Sequence, residues 1–165
     1  MDVYLGRVSG VPMETAKHFH CVRSSYQGYE PQNQTVYRSV KFEYNNDSET
    51  WNRSVNISLQ VKNQPMSLLE VTLLANLGRF PYEVEVLRYD VPVHYGDGKC
   101  LILGHPYIPD AGPQNRHLSC SMWLTERYAN RPPLCCQMLY IMMCGKSWVE
   151  MYEEQLCNKT GGNKI

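Results

Sequence analysis

Five of the chain's seven cysteines fall within the forty residues from Leu118 to Cys157. Cysteines at that density point to a disulfide framework, here bracketed by Cys21 and Cys157. An odd total leaves one thiol free, capped or joined to another molecule, and a buried, inert thiol is its expected form. The second chemistry legible here is glycosylation. Acceptor triplets occur at Asn33, Asn46, Asn52, Asn56 and Asn158. With 11 Asn and 17 Ser plus Thr in 165 residues, chance gives about one such triplet. Asn52 and Asn56 lie too close together for both to be expected to carry glycans. Disulfides and glycans together place the protein outside the cell. No leader pattern opens the chain, and Met1 fits a start that replaces a removed leader.

Catalytic chemistry has little support. His18 and His20 alternate on one strand face near Glu14, yet two strand-borne ligands without a third are a weak metal signal, and exposed histidines are the expectation. No Ser/His/Asp or Cys/His set, phosphate loop or dinucleotide glycine pattern is present. The 16 basic and 16 acidic residues cancel, which leaves no electrostatic footprint for nucleic acid. No apolar run approaches a membrane span. The expectation is a protein that binds rather than catalyses, with no metal and no cofactor.

The elements that must position these residues are mostly strands. Val3–Val8 reads as the first and Phe19–Tyr26, carrying Cys21, as the second; a polar loop from Gln27 to Gln34 follows. Val36–Tyr44 is the third, with Val40 and Phe42 on one face. The fourth alternates cleanly, Val55, Ile57, Leu59 and Val61 against Ser54, Asn56, Ser58 and Gln60. Leu69, Val71, Leu73 and Ala75 form the inward face of the fifth. Tyr82–Tyr89 is the sixth, with Val84 and Val86. Gly96-Asp97-Gly98 turns into the seventh, Lys99–Gly104, and Cys120–Leu124 is the eighth. Pro132-Pro133 then opens a helix of about three turns whose apolar residues Leu134, Met138 and Ile141 recur at i, i+4 and i+7; Gly145 closes it.

Eight short strands with hairpin-like connections suit an all-β, up-and-down antiparallel barrel with a short C-terminal helix packed outside. A two-sheet sandwich is the competing arrangement. No linker or repeat interrupts residues 1–165, so one domain is expected. An eight-stranded barrel either fills its interior with side chains or holds one small ligand. Tyr26, Tyr29, Tyr107 and Tyr128 could form a protein-binding surface, or simply cap the barrel mouth.

An ordered set of residues carries a family resemblance. Tyr89-Asp90 precedes a turn, Cys100 opens the seventh strand, Met122-Trp123 lies in the eighth, Cys135-Cys136 on the helix, then Met151-Tyr152 and Cys157, with Cys21 in the second strand. On these residues the chain resembles the tick salivary lipocalins of the histamine-binding-protein family, apart from lacking their usual N-terminal helix. The resemblance implies a lipocalin barrel with Cys21 paired to Cys157 and Cys100 to Cys136. It leaves the pairing of Cys120, Cys135 and Cys144 open.

The resemblance also implies a departure. Amine-binding members carry an acid after the seventh-strand cysteine and another two residues before the eighth-strand Trp; here those positions are Leu101 and Ser121. A buried ammonium needs a carboxylate partner, so histamine and serotonin are disfavoured. Leu103 and Trp123 face the same interior. With Val40, Phe42, Val55, Ile57, Leu59, Leu69, Val71, Leu73, Val84 and Val86, they make a wall suited to a small hydrophobic ligand, a sterol or other lipid, unless they simply fill a solid core. Among relatives this character resembles the cholesterol-associated lipocalins that suppress dendritic-cell maturation. A host immune-cell receptor or other host protein is then a second partner. The alternatives are a scavenger of leukotriene or fatty acid and a protein-binding complement inhibitor.

Overall fold

The structure, a computed structural model, describes residues 1–63, 66–76, 83–109 and 119–157, without the side chains of residues 76, 83 and 84. Its strands are β1 (Asp2–Ser9), β2 (Phe19–Glu30), β3 (Thr35–Asn45), β4 (Thr50–Lys62), β5 (Leu68–Asn76), β6 (Glu83–Gly96), β7 (Cys100–Leu103), β8 (Cys120–Thr125) and β9 (Val149–Glu150). The helices are α1 (Met13–Ala16), α2 (Leu134–Cys144) and α3 (Glu154–Cys157). Strands β2 to β8 pair in chain order, β8 pairs with β1, and β1 pairs back to β2, so the antiparallel sheet closes into an eight-stranded barrel. Closure leaves those eight strands no long open edge. The two-residue β9 adds to β1 from outside.

Several boundaries differ from the periodicity reading. Strand β2 runs on to Glu30, so the first half of the polar segment expected as a loop is strand. Strand β6 continues through Pro92 to Gly96, with a register shift against β7 between Val93 and Tyr95. The one-turn helix α1 gave no periodic signal, being too short for one. The turn before β7 is built by Asp97, whose Oδ1 accepts the N–H groups of Lys99 (2.7 Å) and Cys100 (2.8 Å). Those two bonds stabilise the ionised carboxylate and hold it below its ordinary range.

Among the described residues, the cluster with the most buried side chains lies outside the barrel. On β7 and β8 the outward residues Cys100, Ile102, Cys120, Met122 and Leu124 pack with Cys136 and Tyr140 of α2. Two disulfides, Cys100–Cys136 and Cys120–Cys144, clamp the helix there, and Cys21–Cys157 ties β2 to α3. Cys100–Cys136 and Cys21–Cys157 are the pairs that the resemblance implies, and Cys120–Cys144 takes two of the remaining three cysteines. Each crosslink closes a loop long enough to stabilise by about 3–5 kcal/mol.

The unpaired cysteine is Cys135, and it is exposed, not buried as expected. The stripe Leu134, Met138 and Ile141 also faces solvent. Cys136 and Cys144 set the helix rotation. With those two sulfurs anchored to the wall, Tyr140 turns inward and donates its hydroxyl to Ser9 Oγ at 3.0 Å, and the apolar stripe is left outside.

Candidate ligand cavity

Because the outward residues of β7 and β8 supply the core, their inward residues are free to face a hollow. The barrel encloses a cavity of about 510 Å³, within the range of small-molecule sites. Leu101 and Leu103 of β7 line it opposite their register partners Trp123 and Ser121 of β8. Val55, Ile57 and Leu59 of β4, Leu69, Val71 and Leu73 of β5, and Val40 of β3 complete the apolar wall named from the sequence.

Two residues of that expected wall lie elsewhere. Phe42 does not line the cavity; its ring packs on Phe19 at 5.6 Å and Trp51 at 6.1 Å, in a cluster that Tyr44 joins by stacking on Trp51. Val86 is 64% exposed. The β5–β6 register steps from Leu73↔Leu87 to Leu74↔Glu85, which makes Val86 an inserted bulge residue that alternation could not foresee. Val84 pairs with Ala75 through the backbone, and its side chain lies outside the described residues.

The cavity also takes residues the sequence reading did not assign to it: Val3 and Val8 of β1, Val11, Val22, Tyr89 and Val91. Val3 and Val8 share the interior despite their odd spacing because the β1–β8 register shifts between Leu5 and Arg7. Val91 lay beyond the expected end of the sixth strand, and the bulge at Val86 puts it out of phase with the Val84 and Val86 alternation.

Polar groups on the wall are hydroxyls. Trp123 Nε1 donates to Ser121 Oγ at 3.1 Å, leaving the serine proton available to a ligand acceptor. Ser24 Oγ accepts from Arg38 Nε at 2.7 Å, and Ser119 Oγ shares a hydrogen bond with His105 Nδ1. Burial pushes the Tyr89 phenol above its ordinary pKa, so it stays a neutral donor. Among the described residues, no Asp, Glu, Lys, Arg or His lines the cavity.

Elsewhere, the exposed sequon residues are Asn33 in the β2–β3 turn and Asn52 on β4; Asn46 and Asn56 are partly covered, and Asn158 lies outside the described residues. The Asn46 side chain organises its own turn, its Oδ1 accepting from Ser48 N (3.0 Å) and Glu49 N (2.7 Å). His18 is partly covered, with Nδ1 at 2.9 Å from the Asn45 carbonyl oxygen and the ring against Tyr44. The one group of three potential metal ligands among the described residues, Asp97, Cys100 and Cys136, has both sulfurs committed to a disulfide.

The family model described as tick histamine binding protein matches residues 9–159. No curated protein matches the chain. Among solved structures, japanin from Rhipicephalus appendiculatus, bound to cholesterol, is similar in fold, with a TM-score of 0.65 and 20% identity over 93% of each chain. The AM182 serotonin complex gives a TM-score of 0.47 and 10% identity, covering 93% of this chain and 82% of that one.

Proposed function

The chain belongs to the tick histamine-binding protein family, and from that premise we propose that it is a secreted lipocalin that captures a hydrophobic small molecule and modulates host immunity. The observation that carries this reading is the uncharged wall at Leu101 and Ser121, where the resemblance places carboxylates in amine binders. An ammonium entering this cavity would lose its water and gain no counter-ion. A sterol loses little, and Ser121 or Tyr89 meets its single hydroxyl. Burying about 400 Å² of ligand at ~25 cal/mol per Å² yields roughly 10 kcal/mol before association costs, enough for micromolar to nanomolar binding. Host dendritic cells are the proposed target, with a host receptor as second partner.

One contact favours a second reading, an acid-headed lipid such as a fatty acid or leukotriene. The Arg38 guanidinium donates to Ser24, on the cavity wall, through both Oγ and the backbone oxygen, and a carboxylate held by Ser24 would feel that charge. Native mass spectrometry of protein secreted from eukaryotic cells, followed by displacement with cholesterol, oleate and histamine, tests the proposal. Cholesterol outcompeting oleate supports the first reading and the reverse order the second; histamine displacing the co-purified ligand overturns both.

A further inference from the structure

A second hollow, of about 400 Å³, lies on the outer face of β1 to β4. Tyr4, Arg23, Lys41 and Ser54 form a row of register partners across those four strands, and the next row sets Glu43 opposite Asn52. All six line the groove. The chain neighbours Val3, Val22, Val40 and Val55 line the ligand cavity, so the first row points away from it.

Asn52 is exposed where it lines this groove, while Asn56, four residues along the same face, is partly covered. The surroundings of the two differ in the same sense. The register partner of Asn56 is Ser39, a buried residue whose Oγ accepts from Gln27 Nε2 at 3.1 Å. Around Asn52 the outer face is open, with Lys41 and Ser54 both exposed.

We propose that Asn52, not Asn56, carries the N-glycan of this close pair, and that its first sugars lie in the groove. Three strand spacings make the row from Tyr4 to Ser54 about 14 Å long, room for the first two rings. Sugar hydroxyls meet donors in Arg23 and Lys41, an acceptor in Glu43 and both roles in Ser54. Tyr4, packed edge-on against Tyr152 at 5.3 Å, supplies an aromatic ring for the apolar face of a sugar. In the attachment, the Asn52 side-chain nitrogen bonds to the anomeric carbon of a lipid-linked oligosaccharide. The lipid diphosphate leaves with the bonding electrons, and the amide gives up one proton. The inference rests on the secreted part of the reading above and is independent of the ligand.

The test is glycopeptide mapping of the full chain secreted from eukaryotic cells, followed by timed release of the sugar by a peptide N-glycosidase. The expected result is a glycan on Asn52 and none on Asn56. Release from Asn52 should be at least tenfold slower on native than on denatured protein, because the groove shields the linkage. Lys41→Ala, at an exposed position, and separately Tyr4→Ala should each speed native release at least threefold without changing occupancy. Asn52 bare while Asn56 or Asn158 is occupied overturns the proposal alone; a chain bare at every sequon overturns it together with the secreted reading. Equal native and denatured rates, or variants that release at the wild-type rate, overturn the seat in the groove.

Discussion

Trp123 and Ser121 stand two residues apart on β8, on the same side of the strand, and the indole N–H donates to the serine oxygen at 3.1 Å inside the cavity. This pair satisfies the one donor of a large aromatic in an otherwise apolar wall. It also fixes the ring against Leu101, its register partner on β7. Ser121→Ala leaves that donor unpaired. Sterol affinity should fall about two- to tenfold, from the loss of one hydrogen bond of roughly 0.5–1.5 kcal/mol, with a shift in tryptophan emission. Unchanged affinity and emission would show that the serine is only a spacer.

Leu101→Asp puts a carboxylate into the same wall. Lipid binding should weaken by at least tenfold, since burying the charge unpaired costs a few kcal/mol. Histamine affinity should not appear, because position 121 still lacks the second acid. Calorimetry with both ligands reads the two effects independently.

Gly6 lies where the β1–β8 register shifts, and its carbonyl accepts Met151 N–H at 2.8 Å. A Cβ there would come within 2.6 Å of Leu124 Cδ1, a side chain with no exposed surface. Gly6→Ala should therefore destabilise by about 1–3 kcal/mol, the range for overpacking a filled core. Urea unfolding measures it; a wild-type midpoint would mean that Leu124 can rotate away.

Acid should act on the Asp97 turn. Its carboxylate is held below the ordinary range by the Cys100 and Lys99 N–H groups, the first being the larger cause. Its contribution is complete above the unfolded carboxylate pKa of about 3.9 and disappears as pH falls through the lower folded value. Asp97→Asn keeps an acceptor oxygen but cannot titrate. The variant should lose less stability than wild type between neutral pH and pH ~3, as followed by thermal melts. Parallel pH profiles would rule Asp97 out as a contributor.

Removing the Cys120–Cys144 link as a double serine variant should cost about 3 kcal/mol and loosen the last turn of α2, while Cys100–Cys136 still holds its first. Hydrogen exchange localised to the helix end is the expected signature. Uniform loosening of the whole barrel would contradict it.

The barrel was legible because β4 alternates strictly, and alternation is the direct signature of a sheet with two different faces. The interior placing of Trp123 and Ser121 comes from the family resemblance, since Cys120, Met122, Trp123 and Leu124 are apolar on both faces of β8 and alternation alone does not choose between them. Val86 could not be placed by alternation, because a bulge inserts a residue without leaving any composition signal, and the face of every residue beyond it reverses. The rotation of α2 was also hidden. Leu134, Met138 and Ile141 carry the stronger hydrophobic stripe, but covalent bonds at Cys136 and Cys144 outweigh a few apolar contacts in deciding which side faces the wall. Phe42 failed for another reason: near the end of a barrel an inward side chain meets neighbouring aromatics before it reaches the lumen.

Strands β7 and β8 assign opposite tasks to alternate positions. Cys100, Ile102, Met122 and Leu124 hold the molecule together, Leu101, Leu103, Ser121 and Trp123 belong to the hollow, and Cys120 at the end of β8 touches both. Stability and cargo preference are thus encoded in interleaved but separable sets of codons. A lineage can exchange what it carries by drifting along one set while the other keeps the container intact, so divergent contents within one conserved vessel are what this architecture permits.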